Sequence, residues 1–155
     1  MSPDKKTLLG KIHRWQEAGE KIVFTNGCFD LLHYGHVSFL QEASTLGDRL
    51  VVGLNTDDSV SKLKGPERPV NDLLARTKIL EALKFVDVVI PFAEDNPLAL
   101  IKEIKPQVLV KGGDYQIENI VGSKFVLKNG GLVKSLKFVE GYSTTDLIKR
   151  IKEEK

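Results

Sequence analysis

Two histidines and two glycines lie close together within residues 21–41, KIVFTNGCFDLLHYGHVSFLQ. His33 and His36 are three residues apart, so on the first turn of a helix they would share one face. Imidazole N–H groups beside a helix N-terminus are good hydrogen-bond donors to phosphate oxygens. Gly27 and Gly35 would let a ligand approach the backbone, because neither residue carries a Cβ atom. The pattern predicts a phosphate-binding site.

The flanking residues predict the local geometry that such a site needs. Residues 22–24 are apolar and indicate a buried strand of a parallel sheet, and residues 25–28 indicate a short polar turn. After His36, apolar residues recur at helical spacing, namely Val37, Leu40 and Ala43. A strand that runs directly into a helix places free N–H groups at the carboxyl edge of the sheet, where they bind anions. The segment contains neither a Walker loop nor the Gly-x-Gly-x-x-Gly dinucleotide motif.

Two other interpretations of the histidines are weaker. In the first, Asp30 caps a helix and the histidines pack locally, but the accompanying glycines favour a ligand site. In the second, the histidines bind zinc, but no third ligand lies nearby and the only cysteine, Cys28, falls on the tight turn. The sequence therefore predicts no metal ion held by protein side chains.

Polar residues also follow the second and fourth predicted strands. Asn55 and Asp57 come after the second strand, and both are candidate substrate-binding residues. Lys111, Gly112 and Asp114 come after the fourth strand, and they are candidate nucleotide-binding residues. Side chains just past the carboxyl ends of parallel strands face a shared crevice. Simple turns or helix caps remain the alternative for both groups.

Three of the cations between the second and third predicted strands are candidate ligands. Residues 64–71 form a loop that contains two prolines and one glycine. Lys64 in this loop is a candidate clamp on a transition state, and Arg68 is a candidate substrate ligand. Arg76 lies early in the next helix, where the helix dipole does not favour a cation. Arg76 is therefore a candidate phosphate ligand.

The order of the predicted elements indicates an α/β protein. Strands are predicted at 21–25, 49–54, 86–90, 108–110 and once or twice within 132–139; helices are predicted at 4–18, after 36, and at 59–63, 72–83, 98–104, 117–128 and about 144–153. Alternating strands and helices imply a parallel sheet with right-handed crossovers. We therefore expect a Rossmann-like, doubly wound parallel sheet of about five strands with flanking helices. Residues 1–19 would supply an N-terminal helix packed on the sheet.

Composition limits the class of protein. The 155 residues suffice for one domain, with 41% hydrophobic and 28% charged residues. A formal net charge of +2 is too small to indicate nucleic acid as the main partner. One cysteine excludes an intramolecular disulfide framework, and no apolar run approaches the roughly 20 residues of a membrane span. Without a signal-peptide core at residues 1–10, we expect a cytoplasmic protein that does not bind membranes.

The segment 27–36, Gly-Cys-Phe-Asp-Leu-Leu-His-Tyr-Gly-His, resembles the signature of the cytidylyltransferase-like nucleotidyltransferases. Ser143, Thr144 and Thr145, with Ile148, are similar to the second motif of that superfamily, a helix start that contacts the triphosphate. The longer segments TNGCFDLLHYGHV, LNTDDSV, KGPERPVN, VDVVIPF, EDNP, VLVKGGDY and YSTTDLI resemble the adenylyltransferase domain of ADP-heptose synthases. The resemblance extends from about residue 20 to residue 151.

This resemblance implies an enzyme that joins ATP and D-glycero-D-manno-heptose 1-phosphate to give ADP-heptose and pyrophosphate, for lipopolysaccharide core or related glycans. It implies Mg²⁺ held mainly by the ATP phosphates, a separate or fused heptose kinase as partner, and self-association. His33, His36 and Lys64 would be catalytic. The expected nucleotide-binding residues are Thr25, Asn26, Gly27, Cys28, Phe29, Gly35, Arg76, Lys111, Gly112, Asp114, Tyr142, Ser143, Thr144 and Thr145.

Other functions on the same fold remain open at this point. They are an alditol-phosphate cytidylyltransferase, an FMN or phosphopantetheine adenylyltransferase, and a nucleotide-binding module without turnover. Glycerol-phosphate cytidylyltransferases carry an arginine shortly before the Ser-Thr-Thr motif and a tryptophan after the fourth strand. Residues 138–141 contain no arginine here and Tyr115 replaces the tryptophan, so both differences disfavour cytidyl transfer.

Overall fold

A computed structural model of the protein describes residues 3–153. The helices are α1 (Lys5–Glu17), α2 (Tyr34–Ser44), α3 (Asp57–Lys64), α4 (Leu73–Glu81), α5 (Leu98–Ile104), α6 (Ser123–Lys128) and α7 (Thr144–Glu153), with a 3₁₀ turn at Ile117–Asn119. The strands are β1 (Ile22–Gly27), β2 (Arg49–Asn55), β3 (Val88–Phe92), β4 (Val108–Gly112) and β5 (Leu132–Leu136). No helix of these residues is both long and apolar enough to cross a membrane.

The five strands form one parallel sheet in the order β3-β2-β1-β4-β5. This confirms the predicted Rossmann-like fold. From β1 the chain moves outward to β2 and β3, and from β4 it moves outward to β5 in the other direction. Connections that diverge in this way leave a crevice at the carboxyl ends of the two central strands, which is where ligands bind in open α/β sheets. The predicted site after β1 lies at this crevice.

Both faces of the sheet are covered by helices, as a parallel sheet requires. The face that we call the α1 face carries a core containing Ile12 of α1, Ile101 of α5 and Val126 of α6. The opposite face, the α2 face, carries a core containing Leu40 of α2 and Leu80 of α4. Successive strand residues alternate between the two cores, since side chains along a strand point to opposite faces.

The N-terminal helix forms as its sequence predicts. The Asp4 carboxylate accepts a hydrogen bond from the Thr7 backbone N–H at 2.8 Å and caps α1. Ile12 is fully buried, and Leu8, Leu9 and Trp15 pack against the same core. The apolar stripe of α1 therefore closes the α1 face.

Several predicted strand boundaries differ from the structure. β2 extends to Asn55 and β4 to Gly112, so Asn55, Lys111 and Gly112 end strands instead of following them. β1 continues through Gly27 instead of turning at Thr25, because Asn26 and Gly27 still pair with β2. β3 covers Val88–Phe92 instead of residues 86–90 and includes Pro91. Proline is tolerated there because β3 is an edge strand, where one row of backbone N–H groups needs no partner.

The predicted helix at 117–128 is wrong. It is divided into the 3₁₀ turn and α6, with Gly122 between them at φ 88°. A Cβ atom on Gly122 would lie 2.7 Å from the Ile101 side chain, so this close approach needs glycine. The break lets Ile120 enter the core, and it brings Asn119 to the crevice.

Candidate active site

A cleft of about 700 Å³ opens at the carboxyl edge of the sheet. Its lining comes from the segments that follow all five strands. The predicted residues that line it are Asn26, Gly27, Cys28, Phe29, His33, His36, Asn55, Lys64, Arg68, Lys111, Gly112, Tyr142, Ser143, Thr144 and Thr145. The catalytic or binding role of each of these residues stays a prediction.

The two histidines form a reciprocal cap at the start of α2. His33 is the N-cap residue, and its Nδ1 accepts a hydrogen bond from the backbone N–H of His36 at 3.3 Å. The Nδ1 of His36 accepts from the backbone N–H of His33 at 3.4 Å. The rings stack, with centroids 3.8 Å apart and planes inclined by 18°. Local packing and a ligand site are thus compatible, because the cap itself brings both rings into the cleft.

This cap determines which nitrogen of each ring can serve a ligand. Since each Nδ1 accepts a hydrogen bond, the proton of the neutral imidazole must reside on Nε2. Burial, with a smaller contribution from neighbouring His33, lowers the pKa of His36 to about 4. Burial also lowers the pKa of His33. At neutral pH the two rings therefore carry uncharged N–H donors side by side.

The lowered pKa of His36 makes folding stability depend on pH. Between pH 6.5 and about 4 the unfolded chain binds a proton at His36 while the folded chain does not. Stability should therefore fall as the pH falls through this window, with His36 contributing a loss of about 3 kcal/mol. Urea unfolding at several pH values measures this loss. A His36→Asn variant should show a shallower pH dependence; an equal slope in both proteins would contradict the assignment.

Asp30 holds the loop after α3 against the histidine segment. Its buried carboxylate accepts hydrogen bonds from the backbone N–H groups of Val70 at 2.8 Å and Asn71 at 2.9 Å, and from Nε of Arg68 at 2.7 Å. Burial alone would raise the pKa of Asp30, but these donors outweigh it and lower the pKa. The alternative in which Asp30 caps a helix is therefore wrong. Arg68 lines the cleft with its Nε already engaged.

The prediction that Arg76 binds phosphate is wrong. Its side chain is 1% exposed and does not line the cleft. It donates hydrogen bonds to the backbone carbonyls of Cys28, Asn55 and Asn71, and it pairs with Asp57 at 2.7 Å. Arg76 therefore ties the ends of β1 and β2 to the loop before α4. Asp57, a predicted substrate ligand, serves this pair and lies outside the cleft lining, and its role in substrate binding stays a prediction.

Three further predicted ligands lie outside the cleft lining. Thr25 is fully buried within β1, and Asp114 is exposed beside the cleft. Gly35 is buried under the His33 ring, where a Cβ atom would lie 2.9 Å from that ring and 3.2 Å from Cβ of Tyr142. Gly35 therefore permits the close packing of α2 against His33 and Tyr142, and it does not provide backbone access for a ligand.

Two lysines add positive charge to the cleft. Lys64 ends α3, and Lys111 lies near the end of β4. Burial lowers the pKa of Lys111, and the like charge of Lys64 adds to this effect. Burial raises the pKa of the Cys28 thiol, although Lys64 and the nearby arginines oppose the change. Burial therefore favours the neutral thiol of Cys28 over the thiolate, which is the nucleophilic form.

Several lining residues were not among the predicted catalytic or binding residues. They are Phe39, Leu63, Phe92, Asp95, Asn96, Pro97, Leu109, Val110, Tyr115, Asn119, Ile120, Val121 and Phe138, in addition to Asp30. Asp95 and Asn96 could have been found, because they follow the carboxyl end of β3, at the same edge of the sheet as Asn55, the last residue of β2. Asn119 gave no such signal, since its position depends on the break before α6.

The sequence matches the family model described as cytidylyltransferase-like over residues 24–150. Bifunctional protein HldE of Histophilus somni is 59% identical over 150 residues, covering 97% of this chain and 32% of that protein. Bifunctional protein HldE of Actinobacillus pleuropneumoniae is 58% identical over 144 residues, covering 93% of this chain and 30% of that protein. The chain thus spans about a third of the length of these curated relatives.

The chain is also similar to solved structures. The lipopolysaccharide core biosynthesis protein from Thermoplasma volcanium is 33% identical with a TM-score of 0.64, and the match covers 81% of this chain and 100% of that one. The pantothenate synthetase of Thermus thermophilus is similar in fold alone, with a TM-score of 0.54 at 18% identity.

Proposed function

This chain belongs to the cytidylyltransferase-like family of nucleotidyltransferases, and we propose that it joins ATP and D-glycero-D-manno-heptose 1-phosphate to give ADP-heptose and pyrophosphate. The observation that carries the proposal is the pair of stacked, neutral histidines at the start of α2, with both rings in the cleft. The choice of acceptor is supported by the sequence segments that resemble ADP-heptose synthases. It is also supported by the likeness to a lipopolysaccharide core biosynthesis protein.

The proposed reaction is direct in-line transfer. An oxygen of the sugar phosphate, already anionic at neutral pH, forms a bond to the α-phosphorus of ATP. The bond from that phosphorus to the bridging oxygen breaks, and pyrophosphate leaves with the electron pair. No general base or covalent intermediate is needed, so the protein acts by positioning the two phosphates and stabilising charge. The Nε2–H groups of His33 and His36 would donate to the α-phosphate oxygens.

The start of α7 would hold the rest of the triphosphate. The Thr144 hydroxyl donates to the Leu31 backbone carbonyl at 3.1 Å, which ties α7 to the histidine segment. The Ser143 hydroxyl accepts from the Asp146 backbone N–H at 3.1 Å. The first N–H groups of α7 and the Thr145 hydroxyl are then available to phosphate oxygens at the cleft. Lys64 and Lys111 would balance the charge of the leaving pyrophosphate.

Mg²⁺ would be held chiefly by the triphosphate oxygens and water, as this ion commonly is in phosphoryl-transfer sites. Among residues 3–153, no group of three or more His, Cys, Asp or Glu side chains is placed to hold a metal ion. We therefore assign the ion to the nucleotide: Mg²⁺ would arrive bound to ATP and neutralise charge on its phosphates. Asp30 cannot contribute, because its carboxylate is occupied by the loop after α3.

Several wider expectations belong to the same proposal. Residues 1–155 would form one domain that works in the cytoplasm and self-associates. A heptose kinase, fused or separate, would supply the sugar phosphate. The name of the bifunctional relatives and their greater length are compatible with a fused kinase.

Pyrophosphate release from a panel of substrates tests the proposed function. ATP and CTP would each be incubated with both anomers of heptose 1-phosphate, glycerol 3-phosphate, FMN and 4′-phosphopantetheine. We expect turnover with ATP and one heptose anomer. Preference for CTP and glycerol 3-phosphate would replace the proposal with an alditol-phosphate cytidylyltransferase. Tight ATP binding without pyrophosphate release from any acceptor would indicate a binding module.

A further inference from the structure

The cleft has two facing walls of different chemistry. The wall beside α2 and α7 carries the histidines and the aromatic rings of Phe138 and Tyr142. The wall beside the α1 face carries Asp95 and Asn96, which follow β3 and precede α5, and Asn119 of the 3₁₀ turn. We call these three residues the polar wall. Both α5 and the residues after Asn119 pack into the core of the α1 face, so rigid elements support the polar wall.

The polar wall has hydrogen-bonding groups that the protein itself does not use. Within residues 3–153, no hydrogen bond engages the carboxylate of Asp95 or the side-chain amide of Asn119. Asn96 accepts a bond from the Leu98 backbone N–H with its Oδ1 at 2.9 Å, which leaves its NH₂ group available. One carboxylate and two amides can accept from and donate to hydroxyl groups, and this combination suits a polyol.

The opposite wall is better suited to the nucleotide. Phe138 and Tyr142 line the cleft on this side, and each ring is about half-exposed, so an aromatic base can stack there. Tyr142 lies just before the start of α7, which would bind phosphates, and Phe138 lies against Gly112, the neighbour of Lys111. A triphosphate against the polar wall would instead meet the negative charge of Asp95. The uncharged hydroxyl groups of the acceptor would not be repelled by Asp95, so this wall suits the polyol end of the acceptor better than either phosphate.

In-line transfer also requires the nucleotide and the acceptor to lie on opposite sides of the cleft. The attacking oxygen must approach the α-phosphorus from the side opposite to the leaving pyrophosphate. If the histidines and α7 hold the triphosphate on one wall, the acceptor must enter along the other. We propose that Asp95, Asn96 and Asn119 bind hydroxyl groups of the phosphorylated acceptor and determine its identity. The inference rests on the proposed function for the reaction, and it does not depend on which phosphorylated polyol is the acceptor.

The test compares Asp95→Ala and Asn119→Ala with Glu94→Ala. Glu94 is the matched control because it is exposed, adjacent to Asp95 and outside the cleft lining. With heptose 1-phosphate and ATP, Asp95→Ala should raise the KM for the acceptor about 10- to 100-fold, because a hydrogen bond to a charged group is lost. The KM for ATP and kcat should stay within about twofold of wild type, as expected for a group that binds the acceptor uniformly. Asn119→Ala should act in the same direction with a smaller effect.

Each outcome decides one of two questions. If wild type uses heptose 1-phosphate and both variants keep its acceptor KM, the polar wall proposal is overturned while the proposed function stands. An increase in the KM for ATP of the same size would also overturn it, since the wall would then bind nucleotide. If wild type prefers another phosphorylated polyol and Asp95→Ala raises the KM for that compound, the wall is supported and the heptose assignment fails. Thermal unfolding of all three variants checks that their folds are intact.

Discussion

Replacing His36 by alanine is expected to lower kcat by roughly 100- to 1,000-fold while the KM for each substrate changes little. The physical reason is that a donor prepared at the α-phosphate contributes about 3 kcal/mol to the transition state. His36 is held ready for this task by its cap to His33, which leaves its Nε2–H for the ligand. Because the imidazole is neutral before ATP binds, no proton needs to be removed or added for it to donate.

His13→Ala is the matched control for this measurement. His13 lies on α1, and its Nε2 is 3.0 Å from the Glu103 backbone carbonyl, away from the cleft. Steady-state pyrophosphate release should therefore be unchanged in this variant. A His36→Ala enzyme within a few-fold of wild type, with an unchanged circular dichroism spectrum, would remove His36 from the catalytic residues.

Replacing Arg76 by methionine is expected to lower the free energy of unfolding by about 3 to 5 kcal/mol. Methionine fills similar space but leaves the carbonyls of Cys28, Asn55 and Asn71 without their charged donor, and unsatisfied buried groups are costly. Asp57 would lose its partner too, although its 46% exposed side chain can be solvated by water. Urea unfolding followed by circular dichroism measures the change.

Lys78→Met, on the same helix, provides the comparison. Lys78 is largely exposed, and its ion pair with Glu81 spans 3.9 Å, so its loss should cost less than about 0.5 kcal/mol. A phosphate-binding role for Arg76 would give the opposite pattern, namely normal stability with a raised KM for ATP. That pattern would contradict the structural role that we assign to Arg76.

Much of the fold and part of the site could be predicted from patterns that involve residues close together in the sequence. Alternating apolar strands and amphipathic helices specify a parallel sheet, because each element must bury its apolar side chains on its neighbours. The spacing of His33 and His36 was enough to place both rings on one helical turn. The position of Ser143, Thr144 and Thr145 at a helix start likewise indicated free backbone N–H groups. These features depend on contacts within a few residues, so the local sequence contains them.

The roles of the cations and carboxylates were harder to predict, because each side chain can bind either a ligand or nearby residue, or a distant part of the folded chain. Arg76 is a candidate phosphate ligand by position, yet its guanidinium reaches Cys28, 48 residues away in the chain. Asp30 is a candidate helix cap by position, yet it binds the backbone of Val70 and Asn71. A charged side chain pairs with whichever donor or acceptor the folded chain brings near, and local sequence does not contain that information.

The sequence by itself determined the sheet, the helix that begins at the histidines and the family to which the chain belongs. Only the tertiary structure decided which polar residues reach the cleft, since Asp95 and Asn119 are separated along the chain and both come to line it through the packing of α5 and the break before α6. The physical reason is the distance along the chain over which each kind of interaction acts. Periodicity and caps act over one or two helical turns, whereas the shape of a cleft depends on how distant segments pack around one core.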